Sequence, residues 1–138
     1  MGQPQVVREV NGQVLVPADL MHRFLTEIYR GIGCAEEEAE VVTSHLVGAN
    51  LRGHDSHGVI RTPRYVEWVI DGIMTVNQSI RPEVEHDTIA IFDGNYGFGQ
   101  TLARQMVDFG TAKARRHAPP RPTQRSTGRW KAARKAGL

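Results

Sequence analysis

The sequence predicts an α/β fold: a helical N-terminal subdomain, then a short β-hairpin, then a further helix. Three observations carry that prediction. Apolar residues recur at helical spacing over 18–50 and again over 62–71. Two short alternating segments, Arg81 to Glu85 and Thr88 to Phe92, flank Glu85-His86-Asp87 as the arms of a hairpin would. A glycine-rich turn then opens a last helical pattern. A chain of 138 residues suffices for one domain with one modest core.

Val14-Leu15-Val16 reads as an edge strand before Pro17, and Pro17 suits the first turn of a helix because its missing N–H would be unpaired there anyway. Leu20, Phe24 and Ile28, with Met21 and Leu25 beside them, predict an amphipathic helix over 18–30 that ends at Gly31 and Gly33. A second helix is expected over 35–50. Glu36, Glu37, Glu38 and Glu40 load its first turns with negative charge, which the helix dipole favours, and they are expected on a solvated face. Ala39, Val42, Leu46 and Ala49 form its buried stripe. Cys34 near the cap reads as an inert thiol, buried or half-buried, His22 as a solvated side chain, and His45 as one that packs or faces solvent. A third helix is expected over 58–71, with Val66, Val69 and Ile70 on its apolar stripe and Trp68 as a core anchor. Gly94, Gly97 and Gly99 follow the order G-x-x-G-x-G, the reverse of the dinucleotide-binding order, and no βαβ pattern surrounds them. A tight turn with left-handed φ is the expectation there, and a Rossmann fold is not. The last helix is expected over 100–116, with Leu102, Met106 and Phe109 on one face.

Charge divides the chain in two. Residues 1–110 hold eight Lys/Arg against fifteen Asp/Glu, a balance of −7, whereas residues 111–138 hold nine Lys/Arg and no acid. That basic, Pro/Arg/Lys-rich tail over 118–138 has only Trp130 and Leu138 as large apolar residues, so it is expected to be disordered. It is either an arm for an anionic partner or a stretch not selected with the rest. With one aromatic and no RNA-binding signature, it does not point to nucleic acid. No apolar run reaches the ~20 residues of a membrane span. The first residues lack the basic-then-apolar order of a secretory signal, and Cys34 is the only cysteine, so a cytoplasmic setting is expected. No metal-ligand spacing stands out.

The chemistry concentrates in Leu51 to Tyr65, which packs His54, His57, Asp55, Ser56, Arg52, Arg61 and Arg64 between two apolar patterns. If a helix begins near Ser56, then His57, Arg61 and Arg64 at i, i+4 and i+7 share one face. If it begins at Thr62, with Pro63 in its first turn, His57 falls on the preceding loop. Guanidiniums can grip a carboxylate with two prongs, and an imidazole can move a proton near neutral pH. The set therefore suits an anionic carbonyl substrate. The plainer alternative is a helix cap followed by a wet, arginine-rich face.

The run Gly48-Ala49-Asn50-Leu51-Arg52-Gly53-His54-Asp55-Ser56-His57-Gly58-Val59-Ile60-Arg61-Thr62-Pro63-Arg64-Tyr65 resembles the malate/L-lactate dehydrogenase superfamily of NAD(P)-dependent oxidoreductases, which is unrelated to the Rossmann-fold lactate and malate dehydrogenases. Asp71-Gly72, Ile91-Phe92-Asp93-Gly94-Asn95 and Ala112-Lys113-Ala114-Arg115 match as well, so the likeness covers residues 14–117 as an N-terminal part of such a domain. It implies hydride transfer between NAD or NADP and a small 2-hydroxy or 2-oxo acid, and a homodimer in complete members. It implies His57 as proton donor, Arg61 and Arg64 as substrate-carboxylate contacts, and Ser56 as a neighbouring polar group in the substrate site. It assigns no cofactor-binding residue within this chain.

Family chains are longer, and after the Lys-Ala-Arg helix they continue into an apolar strand and an Asn-Ser-x-His motif. Here Ala118-Pro119-Pro120-Arg121-Pro122 stands at that point. The sequence is thus expected to be truncated relative to the family, by a frame change or an early stop, with impaired activity on its own. The competing readings are a non-catalytic interaction module that uses the basic tail on an anionic partner, and a pseudogene product.

Overall fold

The computed structural model describes residues 7–117. The expectations for the 118–138 tail lie outside the described residues. Four helices and two small antiparallel hairpins follow in order: β1 (Arg8–Val10), β2 (Gln13–Leu15), α1 (Ala18–Gly31), α2 (Glu36–Leu51), α3 (Thr62–Ile70), β3 (Arg81–Glu85), β4 (Ala90–Asp93) and α4 (Gly99–His117). Between α2 and α3 lie two single 3₁₀ turns, Asp55–His57 and Val59–Arg61. Among the described residues no parallel strand pair forms, so the fold is mixed α and β without a Rossmann sheet. No described helix is long and apolar enough to cross a membrane.

The first hairpin closes on Asn11 and Gly12, at φ 52° and 75°. Positive φ at both central residues is what a twisted two-residue turn demands, and Asn-Gly supplies it at little steric cost. The sequence reading found only the second arm of this hairpin. In α1 the buried residues are Leu25, Thr26 and Tyr29, while Phe24 is 61% exposed. Of the expected Leu20-Phe24-Ile28 stripe, Phe24 therefore faces outward, while Leu20 and Ile28 are half-buried and Ile28 packs against the core. Apolar residues cover more of α1 than one packing partner can bury, and the contact with α2 selects the Leu25-Tyr29 side.

Ala39, Val42 and Leu46 are buried on α2 as expected, but so are Glu38, Thr43 and Val47. This helix is covered by α1 on one side and by α4 on another. Glu38 corrects the expectation of a uniformly solvated acidic face. It is 6% exposed, and its carboxylate accepts from the Asn77 backbone N–H at 2.5 Å and the Thr101 hydroxyl at 3.2 Å. Asn77 in turn accepts from Ala35 N at 2.6 Å and donates to the Gly33 carbonyl at 2.8 Å. One carboxylate thus pins the connector after α3 and the start of α4 to the N-terminus of α2.

Phe98, fully buried just before α4, closes the core against Tyr29 and Tyr65 at centroid distances of 5.8 Å each. Trp68 is half-buried and stacks on Tyr65, so it flanks the core rather than anchoring it. The second hairpin carries a bulge between Pro82 and Val84, where proline offers no ladder N–H. Its tie to α4 is Phe92 edge-on to Phe109 at 4.9 Å, together with Lys113 Nζ donating to Glu85 at 2.8 Å.

Candidate active site

The site is built where α2 ends. The chain turns back after Arg52, with His54 N donating to the Ala49 carbonyl at 2.9 Å, and enters the Asp55–His57 turn. Gly58 then breaks the path before Val59–Arg61, and α3 begins only at Thr62 with Pro63 in its first turn. Ser56, His57, Arg61 and Arg64 therefore do not share one helix face, and residues 58–61 are not α-helical. The physical reason is twofold. Pro63 cannot sit inside an α-helix that started near Ser56, and the extended Gly58 (φ −93°, ψ −152°) interrupts any continuous helix.

The four residues are nonetheless neighbours. Ser56 Oγ lies 3.0 Å from His57 Nδ1, and Arg61 Nε donates to the Ser56 carbonyl at 2.7 Å. Arg64 pairs with Glu67 at 3.1 Å, both side chains being more than half exposed. Ser56, Arg61 and Arg64 line one open cleft of about 430 Å³ together with Ile60, Pro63 and Glu67. His57 is exposed at its margin and meets the cleft through Ser56, not as a lining residue. Chemically the cleft offers guanidinium donors beside an imidazole. An exposed ion pair such as Arg64–Glu67 contributes only ~0–1 kcal/mol, so an incoming carboxylate can take its place. Arg61 forms no ion pair among the described residues, and its remaining N–H groups stay available beyond the one that holds Ser56.

Sequence reasoning missed the residue that shapes this turn. Asn50, in the last turn of α2, donates from Nδ2 to Asp55 at 2.6 Å and accepts at Oδ1 from Val59 N at 2.7 Å. The visible signal was an amide side chain at a helix C-terminus, five residues before an aspartate. His22, read as solvated, instead contacts Ser44 Oγ at 2.9 Å and Glu40 at 3.3 Å on the α1–α2 surface. Cys34 is buried, and burial, with the nearby Glu38 carboxylate adding to it, pushes its thiol up to about 12. It is held as the neutral thiol, not as a nucleophile.

The glycine turn before α4 does not fit a dinucleotide. It is a tight turn, closed by Gly97 N donating to the Gly94 carbonyl at 2.9 Å. Its positive φ values fall on Asn95 and Tyr96 rather than on the glycines. The glycines serve close packing instead. A Cβ on Gly94 would lie 2.6 Å from Leu102 Cδ1, and one on Gly97 would lie 2.6 Å from Gln78 Cβ. Leu102 and Gln78 thus fill the space beside Gly94 and Gly97, whereas a Cβ on Gly99 would meet nothing within 4 Å.

The chain is similar to known proteins in sequence and in fold. A family description of malate/L-lactate dehydrogenase matches residues 16–121. Hydroxycarboxylate dehydrogenase B of Escherichia coli is 36% identical over 100 residues, which is 72% of this chain and 28% of that protein. Malate dehydrogenase of Pyrococcus horikoshii is 35% identical over 102 residues, 74% of this chain and 28% of its own length. The solved structure of the Pyrococcus horikoshii malate dehydrogenase superposes with a TM-score of 0.73 at 32% identity, covering 85% of this chain and 33% of that one. Sulfolactate dehydrogenase from Methanocaldococcus jannaschii gives 0.67 at 26% identity, over 71% and 28% of the two chains. The chain spans about 28% of the length of the curated relatives it matches. On the family match and on relatives a third identical across most of its length, the chain belongs to the malate/L-lactate dehydrogenase family, as an N-terminal portion of it.

Proposed function

We propose that this chain supplies the substrate side of an NAD- or NADP-dependent oxidoreductase that interconverts a small 2-hydroxy acid and its 2-oxo acid, with residues 14–117 as its N-terminal domain part. The observation that carries the reading is the open cleft shared by Ser56, Arg61 and Arg64, with Ser56 Oγ 3.0 Å from the His57 ring. Arg61 and Arg64 hold the carboxylate and so orient the neighbouring carbonyl, which removes rotational freedom before reaction. Reduction leaves negative charge on the carbonyl oxygen, and His57 supplies the proton that neutralises it. In the reverse direction the same imidazole accepts the hydroxyl proton. Ser56 engages Nδ1 and leaves Nε2 for the substrate. The nicotinamide cofactor is held by the greater part of the relatives' length that this chain does not span. A cytoplasmic homodimer belongs to the same reading. It is supported by the free, buried Cys34 and by apolar side chains such as Phe24 and Leu51, 61% and 71% exposed.

The test has two arms. The 138-residue chain, mixed with NADH or NADPH and pyruvate or oxaloacetate, is expected to show little or no turnover, and robust turnover would overturn the division of labour. In a family-length protein carrying these residues, His57→Ala is expected to lower kcat by ~10²–10⁴-fold while nicotinamide fluorescence titrations stay unchanged. Near-normal turnover there removes His57 from the mechanism.

A further inference from the structure

Asn50 lies outside the cleft, yet its side chain holds the His57 turn from both ends. Nδ2 donates to Asp55, two residues before His57, and Oδ1 accepts from Val59 N, two residues after it. The chemistry fixes the amide's orientation, because a backbone N–H can meet only the oxygen and a carboxylate only the NH₂. Gly58 makes the approach possible: a Cβ there would stand 1.9 Å from Asn50 Oδ1. Behind Asn50, α2 is rooted in the core through Leu46 and Val47. The exposed turn is thus joined to rigid structure by one side chain with one donor end and one acceptor end.

We propose that Asn50 is a positioning residue for His57, with Asp55 as its counterpart, and that the pair sets the direction in which the imidazole faces the 2-oxo acid. This rests on the reading of His57 as proton donor. A residue present only for its volume would tolerate any isostere. A clamp needs a donor and an acceptor across positions 50 and 55, in either order, plus an oxygen at position 50 for Val59. Asn50→Asp combined with Asp55→Asn satisfies both needs at unchanged volume and net charge, whereas Asn50→Asp alone sets two carboxylates against each other.

The experiment uses the ¹⁵N-labelled 138-residue chain, with the His57 ring nitrogens assigned by their loss in His57→Gln. The wild-type imidazole is expected to favour one tautomer. Asn50→Ala should abolish that preference and speed amide exchange at Val59 about tenfold, the loss of one hydrogen bond, with exchange at Leu25 and Val42 unchanged. Asn50→Asp should repeat the defect at His57, and adding Asp55→Asn should restore the wild-type ring signature. If Asn50→Ala does not fold, the isosteric single and double exchanges carry the comparison. An unaltered His57 signature in Asn50→Asp, or no restoration in the double exchange, overturns the clamp. Oxalate, a mimic of a 2-oxo acid, is titrated in parallel. A changed ring signature without oxalate shifts at His57, Arg61 and Arg64 overturns the reading of the site, and the positioning role with it.

Discussion

At the scale of single residues, Gly58 is the position where space rather than conformation decides. Its φ of −93° is open to any residue, but the Asn50 amide occupies the place of a Cβ and is bonded at both ends. Gly58→Ala must push that amide aside or bend the turn, at a cost of ~1–3 kcal/mol for overpacking. The expected outcome is a lower urea midpoint and faster exchange at Val59. An unchanged midpoint would show that the turn yields freely. The candidate residues stand out in the sequence, where two guanidiniums, a hydroxyl and an imidazole fall within nine residues, although a cap followed by a wet face is the plainer reading of that run. Their geometry does not stand out. Counting i, i+4 and i+7 from Ser56 assumes an unbroken helix, and neither the clamp on Gly58 nor the late start at Thr62 can be read from spacing alone. His57 accordingly sits at the margin of the cleft, joined to it through Ser56.

At the scale of elements, Glu38 shows why helix α2 was half legible. The Ala39-Val42-Leu46 stripe follows from periodicity, but a glutamate within an acidic run gives no local sign that it faces inward. Its partners, Asn77 and Thr101, lie 39 and 63 residues away. Glu38→Ala leaves the Asn77 N–H without its charged acceptor, and hydrogen bonds to charged groups are worth ~1.5–3 kcal/mol each. A loss of about 2–3 kcal/mol is expected in urea unfolding, and faster amide exchange at Asn77 should accompany it. A variant as stable as the parent would place the connector's anchor elsewhere. The second hairpin depends on a different tie. The hydrogen bond from Lys113 holds the Glu85 carboxyl below its ordinary value of 4.5. Because the folded-state value is depressed, this contribution is present above the ordinary carboxylate range and is lost as pH falls through the folded value. Amide protection in β3 and β4 should drop in that acid window, and Lys113→Met should remove the pH dependence. The two arms of this hairpin were legible because two short segments flank a polar Glu85-His86-Asp87 turn, with Ile89 and Ile91 alternating with Ala90 in the second. Of the N-terminal hairpin only the Val14-Leu15-Val16 arm was read, because the Arg8–Val10 arm is short and exposed and the Asn11-Gly12 turn signal went unused.

At the scale of the whole molecule, the described core is small and one-sided. Leu25, Tyr29, Val42, Leu46 and Phe98 are buried, while Leu51, Ile60 and Ile70 stand 71%, 69% and 73% exposed. In a chain spanning about 28% of its relatives' length, that distribution leaves each buried group a large share of the stability. Two of the buried groups are weak acids held in their neutral form. Tyr29 is pushed from its ordinary 10.0 up to about 12, chiefly by burial, and Cys34 from 9.0 up to about 12, chiefly by burial and then by Glu38. Both are neutral acids whose folded values are raised. The unfolded chain therefore loses its protons at lower pH than the folded one, and each proton lost favours unfolding. Their contribution is complete below pH 9 and drains away between about 9 and 12. The urea midpoint is expected to fall across that interval, beginning with the thiol. Cys34 is the only cysteine, so thiolate absorbance reports it alone. Thiolate should form together with loss of helical ellipticity rather than ahead of it. In Cys34→Ala the decline should start later, near the ordinary tyrosine value of 10.0. Thiolate appearing near pH 9 in a chain that keeps its full ellipticity would mean that Cys34 is reached by water in the folded state, and that the packing of α1 against α2 is looser than described.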